Sequence, residues 1–394
     1  MTVGVWDDLI GQERAVEVLR RAVAGESHAM THAWLVTGPP GSGRSNAARA
    51  FAAALQCAEG GCGECHACRT SLSGAHPDVT LVRTEQLSIG IDEVRDLVRR
   101  AAMRPTLGRY QVLVVEDADR VTERGADALL KSLEEPATRT VWLLCAPTAE
   151  DVIVTIRSRC RQVHLATPSD EAVAELLVRR DGIEPALAAH AARAAQGHIG
   201  RARALARDEG VRNRRAEVLK IPSSLLSVGE CLRAAELLVK STAADAEQAT
   251  SEVSQRERAT LEEALGFGTK GARPRSAQAA LKELEDEQKA RVKRLQRDAI
   301  DRVLSEFTTW YRDVLAIQTG AVGPGALGTG VSPNGPRLIN PDLRVGLEKA
   351  AKSSSPELTL RRIDAILACR TALETNVAPL LAVEALLLNL ADPR

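Results

Sequence analysis

The stretch AWLVTGPPGSGRSNAARAFAAALQCAEGGCGECHAC, residues 33–68, predicts how the first part of this 394-residue chain folds. Apolar residues from Trp34 to Val36 begin a buried strand, and a loop of small residues then leads into an alanine-rich helix. Such a loop lets backbone N–H groups approach a phosphate, and the helix N-terminus adds its positive dipole end. The loop residues are Gly38, Pro39, Pro40, Gly41, Ser42 and Gly43.

The residue after this loop departs from the phosphate-loop pattern G-x-x-x-x-G-K-[ST]. Arg44 stands where the pattern has lysine, whereas Ser45 keeps the position that contacts magnesium. The exchange is not conservative, because lysine is a compact charge and arginine a longer planar fork. Two interpretations fit: a loop that binds ATP or ADP with Mg²⁺ but hydrolyses poorly, or a strand-to-helix turn without a ligand.

Four cysteines follow the helix in the spacing C-x4-C-x2-C-x2-C. They are Cys57, Cys62, Cys65 and Cys68. Gly61 and Gly63 allow the chain between them to wrap a small ion. Four thiolates at such short separations are typical of a closed tetrahedral zinc site with a structural role. We therefore predict structural Zn²⁺, with two disulfides, an iron–sulfur cluster or four unliganded thiols as the alternatives.

The composition restricts the class of protein. A chain of this length predicts two to four domains, and its richness in alanine and leucine favours helices. Lysine plus arginine equals aspartate plus glutamate, 52 each, so a contact with DNA would need a local basic patch. The N-terminus lacks a basic apolar signal, and no apolar run approaches the length of a membrane span. We expect a cytoplasmic protein without a membrane partner.

Strand-like and helix-like segments alternate after the cysteines. The apolar runs that predict strands are 76–82, 111–115, 141–146 and a last one that ends at Leu165. Segments with helical spacing lie between them, at 91–103 and 126–136. This alternation, with a glycine-rich loop after an early strand, predicts a parallel α/β sheet.

Acidic residues crowd the end of the strand predicted at 111–115. Carboxylates at Glu116 and Asp117 would hold magnesium through water and orient an attacking water in a phosphate-loop nucleotidase. The alternative is that they cap the helix that follows.

The remainder of the chain predicts helices only. Short helices fill 169–208, and the helical pattern beyond 209 is broken near 266–275 and 320–337, where we expect mobile insertions. The dense alternating charge of 280–302 predicts either a solvated, salt-bridged face or a helix that binds a partner or DNA.

Several stretches together resemble the clamp-loader branch of the AAA+ ATPases. In chain order they are HAWLVTGPPGSGRS at 32–45, the four cysteines, LLKSLEEP at 129–136 and Ser158-Arg159-Cys160. The resemblance implies the class α/β plus all-α. It implies a AAA+ phosphate-loop domain at 1–166 with a zinc module at 57–68, a helical lid at 167–208 and a helical collar at 209–394.

The resemblance also implies roles and partners. Arg159 would be an arginine finger that reaches the ATP site of a neighbouring subunit, and an ion pair within its own domain is the alternative. The nucleotide would be held by residues 38–45 together with Glu116 and Asp117. The implied partners are other loader subunits (gamma/tau and delta) in a five-subunit ring, the sliding clamp, and primed DNA.

Four positions depart from the family's ATP site. Arg44 replaces the lysine, and the acidic pair Glu116-Asp117 has the reverse of the usual order. Pro147 stands where the family has a sensing threonine. Gly200 stands where it has a lid arginine, and the nearest arginine, Arg201, is one position further along the chain. Together they predict a site that hydrolyses ATP weakly or not at all. We expect a non-motor subunit that serves a replicative polymerase whose chemistry lies in another chain. The alternatives are an active motor ATPase of the gamma/tau type and a zinc-knuckle module that binds nucleic acid.

Overall fold

A computed structural model describes residues 4–84, 88–265, 275–322, 337–375 and 377–392. The chain divides into two compact units, Met1–Asp208 and Glu209–Arg394. Among the described residues, the first unit combines a sheet with helices, whereas the second contains helices without a strand. The class α/β plus all-α is therefore confirmed. Within these ranges, every helix is too short or too polar to cross a membrane.

Five parallel strands form the sheet of the first unit in the order β2-β3-β4-β1-β5. The strands are β1 Ala33–Thr37, β2 Val79–Val82, β3 Gln111–Val115, β4 Thr140–Ala146 and β5 Arg161–His164. β1, β3 and β4 are buried along their whole length, because helices cover both faces of the sheet. Since all strands run in one direction, their C-terminal ends share one edge, where ligands bind in open α/β sheets.

Helices pack on both faces of this sheet. They are α1 Glu13–Val23, α2 Arg44–Gln56, α3 His66–Ser73, α4 Ile91–Ala101, α5 Glu123–Glu134 and the single turn α6 Val154–Arg157. On one face, Trp34 of β1 meets Phe51 of α2 edge to face, with ring centroids 5.1 Å apart. On the other, Leu35 and Trp142 pack with Leu133 of α5. All six alanines of α2 are buried, and their small side chains let this helix lie close to the sheet.

Three short helices complete the first unit: α7 Asp170–Asp181, α8 Pro185–Ala195 and α9 Ile199–Arg207. Each begins at a side chain that accepts hydrogen bonds from the first-turn amides, namely Ser169, Glu184 and His198. Pro185 occupies the first position of α8, where a missing N–H costs nothing.

The second unit contains α10 Glu209–Ser224, α11 Val228–Ala264, α12 Arg275–Gln318, α13 Arg344–Ser353, α14 Pro356–Glu374 and α15 Pro379–Ala391. Its core joins the second half of α12 to the start of α11 and to α14 and α15, with Phe307, Trp310 and Leu386 at its centre. α11 and α12 run antiparallel, since Gln296 donates to the Val239 carbonyl (3.3 Å) and Gln288 to the Ser254 carbonyl (3.0 Å).

Some boundaries differ from the prediction. The strand predicted from residue 76 begins at Val79, because the His76 ring instead accepts a hydrogen bond from the Asp78 amide (3.1 Å). The helix predicted over 91–103 ends at Ala101. The charged segment 280–302 lies wholly inside α12. The expected mobile insertions at 266–275 and 320–337 fall mostly on 266–274 and 323–336, outside the described residues.

Candidate functional site

Two glycines in the left-handed backbone conformation shape the loop between β1 and α2. Gly41 and Gly43 have φ angles of +83° and +95°, which side-chain-bearing residues rarely adopt. A Cβ atom at Gly41 would overlap the ring of His198, the residue that caps α9. The start of α9 therefore packs directly on the glycine-rich loop, and position 41 has room only for glycine.

Arg44 is bonded to its own loop. Its guanidinium donates a hydrogen bond to the Gly38 carbonyl oxygen, so the cation lies against the loop backbone. The Gly38 amide donates to the Pro147 carbonyl at 3.0 Å, which ties the loop to the end of β4. The structure thus brings together residues 38–45 and Pro147, two of the places where the sequence departs from the family pattern.

Glu116, at the C-terminal end of β3, is paired with an arginine that the sequence analysis did not single out. Arg49 of α2 approaches its Oε1 through Nη2 at 2.7 Å and Nε at 2.8 Å. The Glu116 side chain is only 6% exposed, so little water screens the pair. A metal ion at this carboxylate would compete with Arg49. Nearby, burial raises the pKa of the Asp119 carboxyl above its ordinary value.

Asp117 follows directly and begins a short 3-10 turn, Ala118–Arg120. The structure therefore brings both predicted acidic residues to the edge of the sheet next to the glycine-rich loop. The Arg49–Glu116 pair left no local signal in the sequence, because it joins residues 67 positions apart.

Arg159 lies just beyond α6 and makes contacts within its own unit. Its guanidinium forms an ion pair with Glu134 at the end of α5 and donates to the Thr155 carbonyl at 2.8 Å. About a third of the side chain (36%) remains exposed. This is the intradomain ion pair predicted as the alternative to an arginine finger. For the finger role, a neighbouring subunit would have to displace Glu134 from Arg159.

The four cysteines converge on a small volume at the end of α2 and the start of α3. Their sulfur atoms all lie within 4.8 Å of one another. The Cys57 sulfur is 3.7 Å from that of Cys62 and 3.8 Å from that of Cys65, far beyond a disulfide bond of about 2.05 Å. The set could hold one metal ion.

Backbone amides support the charge of this cluster. The amides of Cys62, Cys65 and Cys68 each approach a cluster sulfur at 3.4–3.5 Å. Burial by itself disfavours the Cys57 thiolate, but amide hydrogen bonds outweigh it and lower the pKa of Cys57 to about 6. Burial raises the pKa of Cys68, the innermost of the four. Thiolates are the form that binds a metal, so the lowered pKa of Cys57 favours this residue as a ligand.

Comparison with known proteins finds relatives for most of the first unit. Residues 11–169 match the family model described as DNA polymerase III, delta subunit. The delta' subunit of DNA polymerase III from Pseudomonas aeruginosa is 38% identical over 201 residues, which are 50% of this chain and 61% of that protein. Residues 11–169 are therefore similar to delta-type subunits of DNA polymerase III. The five-stranded parallel sheet with its loop after β1 agrees with the α/β domain that the resemblance implied.

Two further similar proteins are a gamma/tau subunit and a protein of known structure. The gamma/tau subunit of DNA polymerase III from Mycobacterium tuberculosis is 36% identical over 157 residues, 39% of this chain and 27% of that protein. A solved structure of a DNA polymerase III gamma subunit-related protein from Thermotoga maritima has a TM-score of 0.34 at 18% identity, over 73% of this chain and 99% of that one. The chain spans less than two thirds of either relative's length, 61% of the delta' subunit and 27% of the gamma/tau subunit.

Proposed function

We propose that this chain is a clamp-loader subunit of the delta-prime type, a non-motor stator that serves DNA polymerase III. It would join gamma/tau and delta subunits in a five-subunit ring and reach the sliding clamp and primed DNA through that assembly, in the cytoplasm. The observation that carries the proposal is the hydrogen bond from Arg44 to the Gly38 carbonyl. The residue at the lysine position of the phosphate loop contacts the loop itself. The delta-prime similarity of residues 11–169 supports it.

In this proposal each segment of the chain has its own structural role. Residues 1–166 form the phosphate-loop domain and residues 167–208 a small helical lid, which is the segment α7–α9. Residues 209–394 form a collar that holds the ring together. The apolar core joining α11, α12, α14 and α15 supports this role, because it gives the collar a rigid body of its own.

The chain's own ATP site would be weak or inactive. Arg44 bonds to the loop, and Glu116 is neutralised by Arg49, so neither group is placed to serve a nucleotide or its magnesium ion. Binding of ATP or ADP with Mg²⁺ would require that both of these contacts break.

Arg159 would instead act on a neighbour's ATP site. Its partial exposure supports this role, since exchange of Glu134 for a phosphate keeps the guanidinium paired with an anion. An arginine finger stabilises the charge that develops on the transferred phosphoryl group.

Zn²⁺ is the metal we propose for the cysteine cluster. Zinc–sulfur bonds of about 2.3 Å place the sulfurs of a tetrahedron about 3.8 Å apart. The separations from Cys57 to Cys62 and to Cys65, 3.7 and 3.8 Å, fit this value. With all four positions taken by sulfur, the site would be structural rather than catalytic.

The test begins with ATP binding and turnover by the purified chain, with Arg44→Lys alongside. The proposal expects no turnover by the natural chain, and clear turnover free of contaminating ATPase would overturn the stator assignment. In the loader reassembled with cognate gamma/tau and delta subunits, Arg159→Ala should slow hydrolysis on the order of a thousandfold at the one site it completes.

Arg157→Ala is the matched control in the assembled loader. Arg157 is a neighbouring, partly exposed arginine whose Nη1 lies 3.5 Å from Glu150, and its loss should leave hydrolysis unchanged. Glu134→Gln frees Arg159 from its intradomain pair and should not slow hydrolysis. An equal effect of Arg157→Ala and Arg159→Ala would contradict the finger role.

A further inference from the structure

The segment 4–12, which we name the N-terminal strap, contacts the loop between Cys57 and Cys62 at one end. The Val5 amide donates to the Gly61 carbonyl at 3.1 Å, and the Trp6 indole donates to the Gly60 carbonyl at 3.3 Å. Gly61 has a φ of +113°, and a Cβ there would lie 2.6 Å from a Val5 methyl group. Gly60 and Gly61 belong to the loop between Cys57 and Cys62, so the strap packs on the part of the chain that a bound metal would fix.

The Trp6 side chain is buried where the strap packs on the loop between Cys57 and Cys62. Its side chain is 94% covered, with Arg20 of α1 placed 6.0 Å from the ring centroid. Burial of an aromatic side chain of this size contributes on the order of 2–3 kcal/mol. Part of that burial depends on the conformation of the glycine pair inside the cysteine loop.

The other end of the strap contacts the lid. Asp8 forms an ion pair with Arg180 of α7, and Arg179 donates to the Asp7 carbonyl at 3.3 Å. The Gln12 side chain is buried and makes two hydrogen bonds to the Ala166 backbone, at 2.7 and 2.9 Å. Ala166 lies between the last strand and α7, where the chain leaves the sheet for the lid.

The strap therefore joins the cysteine loop to the lid through hydrogen bonds, an ion pair and a buried tryptophan. The lid in turn packs on the glycine-rich loop through His198 and Gly41. We infer that metal binding at the four cysteines orders the N-terminal strap and thereby holds the lid docked on the phosphate loop. The inference rests on the proposed metal site but not on the ATPase assignment.

Hydrogen exchange of the full-length chain, with zinc bound and after its removal by a chelator, tests this. Without metal, protection should fall at least about tenfold in peptides covering 4–12 and severalfold in those covering α7 and α9. Peptides of β3 and β4 should stay protected, which separates loss of the strap from global unfolding. Loss of protection at the strap alone, or at neither place, would overturn the inference.

A second variant covers the case in which the metal-free chain unfolds as a whole. Trp6→Ala keeps all four cysteines, so the chain should retain zinc while the lid loses protection. Leu107→Ala, at a side chain 76% exposed on the same unit, is the matched control and should change neither. A lid that stays protected in zinc-loaded Trp6→Ala overturns the inference, and a natural chain that binds no zinc contradicts the metal site itself.

Discussion

Asp78 fixes a surface loop from inside the protein. It lies at the start of β2, is 99% buried, and accepts hydrogen bonds from the consecutive amides of Thr106, Leu107 and Gly108 at 2.6, 2.7 and 2.6 Å. Burial by itself raises the pKa of this carboxyl, but the three amide donors outweigh it and hold the pKa below its usual range. The loop that connects α4 to β3 is thereby given a single conformation.

We predict that Asp78→Ala lowers the free energy of unfolding by about 2–4 kcal/mol, because three amides lose a charged acceptor. The folded pKa lies below the unfolded value of about 3.9, so the contribution is complete above that value and is lost as the pH falls through the folded pKa. Urea denaturation at several pH values measures this. Asp92→Asn, at a side chain 91% exposed, should be neutral throughout.

We predict that Arg44 and Arg49 together weaken nucleotide binding at the glycine-rich loop. Arg44→Lys alone should not create ATP turnover, since Arg49 still neutralises Glu116. Arg44→Lys combined with Arg49→Gln should bind Mg²⁺-ATP measurably more tightly than either single variant, as followed by calorimetry. A double variant that binds no more tightly than Arg44→Lys alone would show that the Arg49–Glu116 pair does not limit binding.

Helices α11 and α12 form an antiparallel hairpin that is held differently at its two ends. Near the core of the second unit, α12 contributes large apolar side chains such as Phe307. Farther out, the buried positions of α11 are small, as at Ala246 and Thr250. There the helices are joined by polar contacts, including Arg291 to Glu257 at 2.9 Å and Arg258 to Glu285 at 3.3 Å.

We predict that Glu257→Gln loosens the far part of this hairpin by roughly 0.5–1 kcal/mol, the worth of a partly exposed ion pair. The hydrogen bond from Arg291 lowers the pKa of Glu257, so the pair is complete above the usual glutamate pKa and is lost as the pH falls through the folded value. Hydrogen exchange should rise in peptides of 250–264 and 277–295 but not around Phe307. Glu236→Gln, at an exposed ion pair with Lys240, should have little effect.

Elements whose formation depends on residues close together in the sequence were predictable. The β1 strand, the glycine-rich loop, α2 and the four cysteines are encoded by spacing within 36 residues, 33–68, and the structure brings those cysteines together. The Arg49–Glu116 pair and the hydrogen bonds of Gln12 to Ala166 were not predicted. They join residues 67 and 154 positions apart, so they depend on the strand order of the sheet, which no local pattern contains.

The whole chain consists of two units with different sources of stability. The first unit has a cysteine cluster in addition to its apolar cores, whereas the second has an apolar helical core. Metal binding adds free energy only to the unit that contains the ligands.

We predict that a chelator lowers the melting temperature of the first unit by on the order of 5–10 °C, the effect of about 2–3 kcal/mol on a domain of about 200 residues. The transition of the second unit should not move, and differential scanning calorimetry separates the two. Cys160→Ser, a cysteine outside the cluster, should leave the shift unchanged. A chelator effect of equal size on both transitions would contradict the prediction.

The length of α12 has a mechanical consequence. Its 44 residues form a rod about 66 Å long, and about 35 Å of it separates Ala277 from Ile300, where the apolar core begins. Such a rod is a lever: each degree of tilt at Ile300 moves Ala277 by about 0.6 Å. A fluorescent probe on exposed Lys282 would therefore convert a rotation of a few degrees at the core into a displacement large enough to follow by energy transfer.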